Sequence, residues 1–153
     1  MTRKSMICLA AALSLFLGAA NFDHAGAQTR FGVRGGANLD RDDLFVGAHF
    51  IQKLQRNWIF NPNFEYTLVD DGSLFSINAD FHYDFPSNSS TLFWIGSGVG
   101  VSHFSSDGAD NTDLGLNLLT GVSFGRRPAI PYIQAKVTVF DDTQLLIGGG
   151  VTF

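Results

Sequence analysis

Cysteine, methionine and proline are scarce in this 153-residue chain, which has one, two and four of them respectively. The single cysteine, Cys8, lies in the apolar N-terminal stretch, so the rest of the chain has no disulfide or thiol chemistry. No stretch after residue 27 has 18 consecutive apolar residues, which excludes a helical membrane span there. The net charge is −4 and long basic runs are missing, so we expect no nucleic-acid partner.

The N-terminus has the three regions of a secretory signal peptide. Two basic residues at positions 3 and 4 precede an apolar run from Met6 to Ala20, and an Ala-Gly-Ala cleavage site ends at Ala27. The alternative, a transmembrane helix, needs about 20 apolar residues, and this run is shorter. We therefore predict a signal peptide over 1–27 and a single domain over 28–153.

Alternating apolar and polar residues organise the chain from residue 30 onward. Each alternating segment is about ten residues long, the length that a tilted strand needs to cross a bilayer. The 17 glycines and 15 phenylalanines suit many strands joined by tight turns. We predict an all-β fold, an eight-stranded antiparallel up-and-down transmembrane β-barrel whose even strand number lets the first strand close against the last. The eight segments are 30–39, 45–54, 58–68, 75–85, 91–103, 113–124, 131–140 and 143–153.

The alternation does not by itself say which face points outward, because a soluble barrel of the lipocalin kind has the same period with its apolar face inside. Two observations favour an apolar exterior. Arg34 and Lys136 lie mid-strand opposite Glu65 and Asp80, a set that neutralises itself inside a narrow barrel. Aromatic residues also gather near strand ends, as in interfacial girdles. They are Phe31, Trp58, Phe85, Phe93, Phe124 and Phe153 at one rim, and Tyr66 and Phe75 at the other.

The last segment, Thr143 to Phe153, alternates an apolar face with a small or polar one and ends on an aromatic residue. With the N-terminal signal and the eight strands, it resembles the small outer-membrane β-barrel superfamily of OmpX-like, OmpW-like and OmpA-barrel proteins. The resemblance implies a monomer in the bacterial outer membrane, in contact with lipid and lipopolysaccharide and inserted by the barrel assembly machinery. It implies that Phe153 is part of the assembly signal, and it implies no cofactor. OmpX-like members have long protruding strands, whereas the outward connections here are short.

Charged residues of the inward face form a predicted interior network. An eight-stranded barrel is barely wide enough for its own side chains, so this set predicts a packed polar plug. The alternative is a narrow conduit for small solutes, because inward glycines of strands five, six and eight leave space that Trp94 fills in part. The network consists of Arg34, Lys53, Glu65, Asp80, His82, Asp84 and Lys136, with Asn61, Asn63 and Asn78 on the same inward face.

Ten of the twelve aspartates after residue 27 fall in the connections at one end of the predicted barrel, between Asp40 and Asp142. Aspartate is a good turn residue, which explains the pattern without any ligand. The alternative is an acidic rim that gathers Ca²⁺ or Mg²⁺ among lipopolysaccharide head groups. Because no connection has a spaced set such as D-x-D-x-D-G, we predict no defined metal site.

His103 and Ser105 stand two residues apart in a predicted strand, so they would share a face. His-x-Ser is similar to the catalytic motif of the outer-membrane lipid A deacylases, in which case Asp107, Asp110 or Asp113 would orient the histidine. That family has an asparagine at the position of Ser106, and the glutamate of that family has no counterpart in this chain. We therefore expect a non-enzymatic barrel without catalytic residues, serving envelope integrity or surface interaction. The conduit and then the deacylase are the alternatives.

Overall fold

The computed structural model describes residues 29–70, 72–106, 109–125 and 128–153. Within these ranges, no helix is long and apolar enough to cross a membrane. The predicted signal peptide over 1–27 and the predicted domain start at residue 28 lie outside the described residues. The strands are β1 (Thr29–Asn38), β2 (Asp43–Gln55), β3 (Trp58–Leu68), β4 (Ser73–Asp84), β5 (Thr91–Ser106), β6 (Ala109–Phe124), β7 (Ile130–Val139) and β8 (Thr143–Thr152).

The eight strands form a closed antiparallel barrel. Each strand pairs with the next along the chain, and β1 pairs with β8. The closing seam extends from Gly32 opposite Thr152 to Asn38 opposite Leu146. Closure pairs the backbone groups that would otherwise line two free sheet edges. The predicted eight-stranded antiparallel barrel is confirmed.

The barrel wall is apolar outside and polar inside, the reverse of a water-soluble barrel. Outward positions hold large apolar side chains such as Leu114 and Ile133, which are 75% and 59% exposed. Inward positions hold polar side chains such as Asn63 and Asn117, which are fully buried at 0% exposure. Side chains alternate between the two faces of a strand, so a period of two in the sequence separates the sets. The predicted outward direction of the apolar face is confirmed.

Exposed aromatic rings surround one end of the barrel. We call this end, which holds residues 29 and 153, the base, and the opposite end the top. Aromatic pairs with centroids 4.5–7 Å apart stabilise each other beyond the area that they bury. The contacts are Trp58 with Tyr83 at 5.3 Å, Tyr83 with Phe85 at 5.4 Å, Phe85 with Phe93 at 5.5 Å, and Phe31 with Phe153 at 5.4 Å across the closing seam.

The β5–β6 hairpin is longer than the sequence pattern predicts, since both strands have 16 residues. The strands stay paired as far as Ser106 opposite Ala109, whereas β7 pairs with β6 only from Leu116 onward. At the top of the barrel, the β5–β6 hairpin therefore protrudes past the end of the neighbouring strand β7. The predicted ends of these two strands, at residues 103 and 113, are wrong, because polar pairs such as Ser105 with Asp110 continue the ladder where hydrophobic alternation has stopped.

Candidate functional site in the barrel interior

The interior holds two cations around one carboxylate. Nζ of Lys136 donates to Oε2 of Glu65 at 2.5 Å, and a guanidinium nitrogen of Arg34 lies 3.2 Å from Oε1 of Glu65. Strand alternation turns these side chains inward from β7, β3 and β1, and each residue is at most 6% exposed. A buried charge without a partner costs several kcal/mol, so the three can be buried only as a group.

An asparagine layer, formed by Asn63, Asn78 and Asn117 around Asp80, fills the space beside these charges. The carboxylate of Asp80 accepts hydrogen bonds from the side-chain amides of Asn63 and Asn117, both at 2.8 Å. The amide of Asn78 donates to Asn63 at 3.0 Å and reaches Glu65 at 3.5 Å, which joins the layer to the charged group. The sequence placed Asp80 opposite the cations, but its hydrogen-bond partners are amides. Asn117 was missing from the predicted network, although its inward position was visible in the alternation.

Inward glycines make room for these side chains. A Cβ atom on Gly98 would lie 2.2 Å from Oδ1 of Asp80, and one on Gly121 would lie 2.3 Å from the Trp94 ring. Real Cβ contacts are never so short, so only glycine fits at either position. The space that the glycines vacate is filled by a carboxylate and an indole.

The remaining residues of the predicted network lie nearer the base. His82 is buried, and its Nε2 lies 3.4 Å from Oδ1 of Asp84, whose side chain is 24% exposed. Lys53 pairs with Ile59 just before a register shift in β2 and is exposed, so it does not join the buried charges. Alternation gives the direction of a side chain but not its depth in the barrel. For this reason Lys53 appeared in the predicted network.

A cavity of about 380 Å³ lies inside the barrel at the base, and we call it the base cavity. His49, Trp94 and Tyr132 are among the residues that line it. The rings of His49 and Tyr132 meet edge to face with centroids 5.5 Å apart, and Nε2 of His49 lies 3.0 Å from the hydroxyl of Thr152. His49 and Tyr132 were not among the predicted site residues. The signal was present in their inward positions, but nothing in the sequence showed that β2 and β7 bring them together.

The two residues of the deacylase alternative, His103 and Ser105, lie at the top and do not form a triad. Ser105 donates its hydroxyl hydrogen to Asp110 at 2.7 Å, whereas Nδ1 of His103 lies 2.8 Å from the hydroxyl of Thr112. The ring of His103 also packs against Phe75 with centroids 5.1 Å apart. A serine nucleophile needs its hydrogen bond to the base, and among the described residues none joins these two side chains. Asp107 lies outside the described residues.

Asp40 and Asp113, two of the aspartates at the top, accept hydrogen bonds from groups of the barrel itself. Oδ2 of Asp40 accepts the backbone N–H of Leu145 at 2.5 Å, and the Asp113 carboxylate accepts from the amide of Asn111 at 2.8 and 3.0 Å. Over the part of the chain that the structure describes, no group of three or more histidine, cysteine, aspartate or glutamate side chains is placed to hold a metal ion. These bonds give both carboxylates partners within the protein.

No protein-family model and no curated protein sequence matches the chain. The fold is similar to solved structures of small barrels. Neisserial surface protein A aligns with a TM-score of 0.67 and 18% identity over 84% of this chain and 98% of that one. The N-terminal β-barrel domain of Pseudomonas aeruginosa OprF aligns with a TM-score of 0.64 and 14% identity over 83% and 98%.

The outer-membrane enzyme PagL is also similar, with a TM-score of 0.55 and 13% identity over 82% of this chain and 99% of that one. Sequence identity this low says nothing about shared chemistry, so the likeness concerns architecture. Each of these barrels is covered over nearly its whole length, and each strand of this chain has its place in a closed sheet. The chain therefore has the fold of the small eight-stranded outer-membrane β-barrels.

Proposed function

We propose that this chain is an integral protein of the bacterial outer membrane, a monomer with a closed polar interior that serves envelope integrity or surface interaction. The observation that carries the proposal is the distribution of polarity. Large apolar side chains form the outer wall, and charged side chains are buried inside. In water this wall would be a very large exposed apolar surface. In a bilayer the apolar side chains contact lipid, and the closed sheet pairs the backbone N–H and C=O groups. Similarity to outer-membrane barrels supports the same location.

The closed interior is supported by the hydrogen-bond network at its centre. Glu65 holds Arg34 from β1 and Lys136 from β7, so one carboxylate links strands on different sides of the lumen. The asparagine layer occupies the neighbouring space and has no exposed member. A solute could pass only if these pairs separated, and separating a buried pair costs about 3–5 kcal/mol.

The purified protein, refolded into a planar lipid bilayer, is expected to give no discrete current steps. Its folding is established separately by a gel mobility that changes on boiling. We expect no current because the interior around Glu65 and Asp80 is filled by side chains. Discrete steps whose size changes in a Lys136→Gln variant would contradict the plug and establish the conduit.

A conduit is the second candidate, and the base cavity is the observation that favours it. The cavity already opens part of the lumen to the base, and the charged group and the asparagine layer are among the side chains that separate it from the top. The conduit would require Arg34 and Lys136 to exchange partners. The bilayer measurement distinguishes the two functions directly.

Replacing Phe153 with serine is expected to lower the amount of folded protein in the outer membrane several-fold. Under the proposed function, the terminal ring is read by the assembly machinery. The backbone N–H of Phe153 bonds to Phe31 at 2.8 Å and its carbonyl accepts from Arg30 at 3.0 Å, and both contacts survive the substitution. The measurement is the heat-sensitive band in isolated outer membranes.

Phe124→Ser is the matched control, because Phe124 is another aromatic residue at the base and is 42% exposed, close to the 47% of Phe153. The control removes the same ring from a position inside the chain. Equal losses in the two variants would mean that the rings act only through packing, and the assembly role of Phe153 would be abandoned. Wild-type protein that stays soluble without detergent would overturn the membrane proposal itself.

The enzyme alternative has less support. PagL, which has a similar fold, is an outer-membrane enzyme, so an enzymatic function is compatible with this architecture. Against it, the hydroxyl of Ser105 is bonded to Asp110, and the imidazole of His103 is bonded to Thr112. A general base must lie within hydrogen-bond reach of the proton that it removes. These contacts favour a structural role for both residues in the long β5–β6 hairpin.

A further inference from the structure

We propose that the base cavity binds one ring of a neutral sugar, held by hydrogen bonds from Trp94, Tyr132 and Gln134. The inference goes beyond the proposed function, because it concerns a ligand inside the barrel. It rests on the side chains that line the cavity, so it holds whether the lumen is plugged or conducting. It does not depend on the membrane location either.

The three side chains belong to one patch of the inner wall, on the adjacent strands β5, β6 and β7. Gly121 on β6 lies directly opposite Trp94 on β5 and directly opposite Gln134 on β7. The Trp94 ring lies over Gly121, 2.3 Å from where a Cβ atom would stand, so it extends from β5 toward β7. Tyr132 precedes Gln134 by two residues, and alternation turns both into the lumen. The Trp94 ring also packs against His82 with centroids 4.7 Å apart, so the direction of its N–H group is set before a ligand binds.

Polar groups of this patch are buried and have no partner in the protein. Trp94 and Gln134 are only 5% and 8% exposed. Within the described part of the chain, neither the indole N–H of Trp94 nor the side-chain amide of Gln134 makes a hydrogen bond, and both groups retain accessible surface. Both residues line the cavity, so these groups face its space. A buried polar group without a partner costs free energy, which a ligand that bonds to it would recover.

The charged residues that line the cavity already have partners, which favours a neutral ligand. Arg30 donates to the backbone carbonyls of Pro128 and Thr152 at the rim. Oδ1 of Asp84 lies 3.4 Å from Nε2 of His82. A charged ligand would lose its hydration in the cavity and would find these charges already in contact with other groups.

A sugar matches the patch because each of its hydroxyl groups can both donate and accept a hydrogen bond. The amide of Gln134 has an acceptor oxygen and a donor nitrogen side by side, which suit two adjacent hydroxyls of one ring. The indole N–H of Trp94 is a donor only. The hydroxyl of Tyr132, 3.4 Å from Nδ1 of His49, adds a group that both donates and accepts.

The cavity has the size and the walls for one six-membered sugar ring. Its volume of about 380 Å³ lies in the range of about 300–1,000 Å³ that is typical of small-molecule sites. Exposed serines of the β4–β5 connection also line the cavity and can contact hydroxyls that point out of it. They are Ser87, Ser89 and Ser90. Aliphatic side chains provide apolar surface for the C–H groups of the ring. They are Ile51, Ile59, Leu92 and Ile130.

The test is a titration of the folded full chain, in a detergent without a sugar head group, with glucose, galactose, mannose and N-acetylglucosamine in turn. Tryptophan fluorescence follows binding, because Trp94 lines the cavity. Trp58 is 50% exposed on the outer wall, and the chain has only these two tryptophans, so a Trp58→Phe background leaves the signal of the cavity alone. We expect a saturable change with at least one of these sugars and none with cyclohexanol, which has a ring of the same size and one hydroxyl.

Gln134→Met keeps the length of the side chain and removes its amide. It is expected to weaken sugar binding about tenfold, as the loss of about two neutral hydrogen bonds would. Tyr132→Phe removes one hydroxyl and is expected to weaken binding about threefold. Gln55→Met is the matched control, because it makes the same change at the exposed base end of β2, outside the cavity lining, and should leave the affinity unchanged.

The site is rejected if the folded protein gives no saturable response to any of these sugars. An equal response to cyclohexanol would indicate apolar partitioning only and would also reject it. An affinity that neither Gln134→Met nor Tyr132→Phe changes would mean that the sugar binds elsewhere. The boiling-dependent gel mobility checks that each variant is folded. If Gln134→Met does not fold, Tyr132→Phe decides the question.

Discussion

Replacing Glu65 with glutamine is expected to lower the free energy of unfolding by about 3–5 kcal/mol. The substitution keeps the size of the side chain and removes the negative charge that contacts both Arg34 and Lys136, at 3.2 and 2.5 Å. Two buried cations are then left on either side of a neutral amide. Urea unfolding of the protein in lipid vesicles, followed by tryptophan fluorescence, measures the loss.

Lys136→Met is the informative comparison for this prediction. It removes one of the two cations and leaves Glu65 in contact with Arg34, so neither of these two charges is left without its partner. Although Lys136 makes the shorter contact, its loss should therefore cost clearly less than the loss of Glu65. Equal costs for the two variants would mean that each contact acts independently, and the account of Glu65 as the shared partner of both cations would fail.

The fold of this chain could be predicted from its sequence because a closed barrel has few degrees of freedom. Strand number follows from counting alternating segments, and the direction of each face follows from which residues alternate. Trp94 was expected in the lumen and lies there, against Gly121. The β5–β6 hairpin was underestimated because hydrophobic alternation ends near His103, while hydrogen bonds between polar side chains extend the strands to Ser106.

The interior site could be predicted only in part, because alternation identifies inward residues and not their partners. Asp80 and Glu65 are equivalent in the pattern, yet Asp80 is bonded to amides and Glu65 to cations. Which pairs form depends on strand register and on height along the barrel axis. Both are set by the turns, where the sequence allowed several lengths.

Replacing Gly36 with alanine is expected to prevent most of the protein from folding. A Cβ atom there would lie 2.2 Å from the carbonyl oxygen of Ile147 and 2.5 Å from Cα of Gly148. Both are backbone atoms of β8 across the closing seam, so they cannot turn aside as a flexible side chain could. Separating β1 from β8 would leave unpaired backbone groups, each of which costs several kcal/mol in a bilayer. The measurement is the fraction of protein that gives the heat-sensitive band after refolding.

Gly35→Ala is the matched control, since it adds the same methyl group one residue earlier in the same strand. The nearest atom to a Cβ on Gly35 is the carbonyl oxygen of Phe45 at 3.3 Å, a contact that a shift of a few tenths of an ångström relieves. Its folded fraction should stay near that of the wild type. The two variants have the same loss of glycine flexibility, so a difference between them isolates the close approach of β1 to β8. Equal folded fractions would show that the seam adjusts to a methyl group, and closure would then not depend on Gly36.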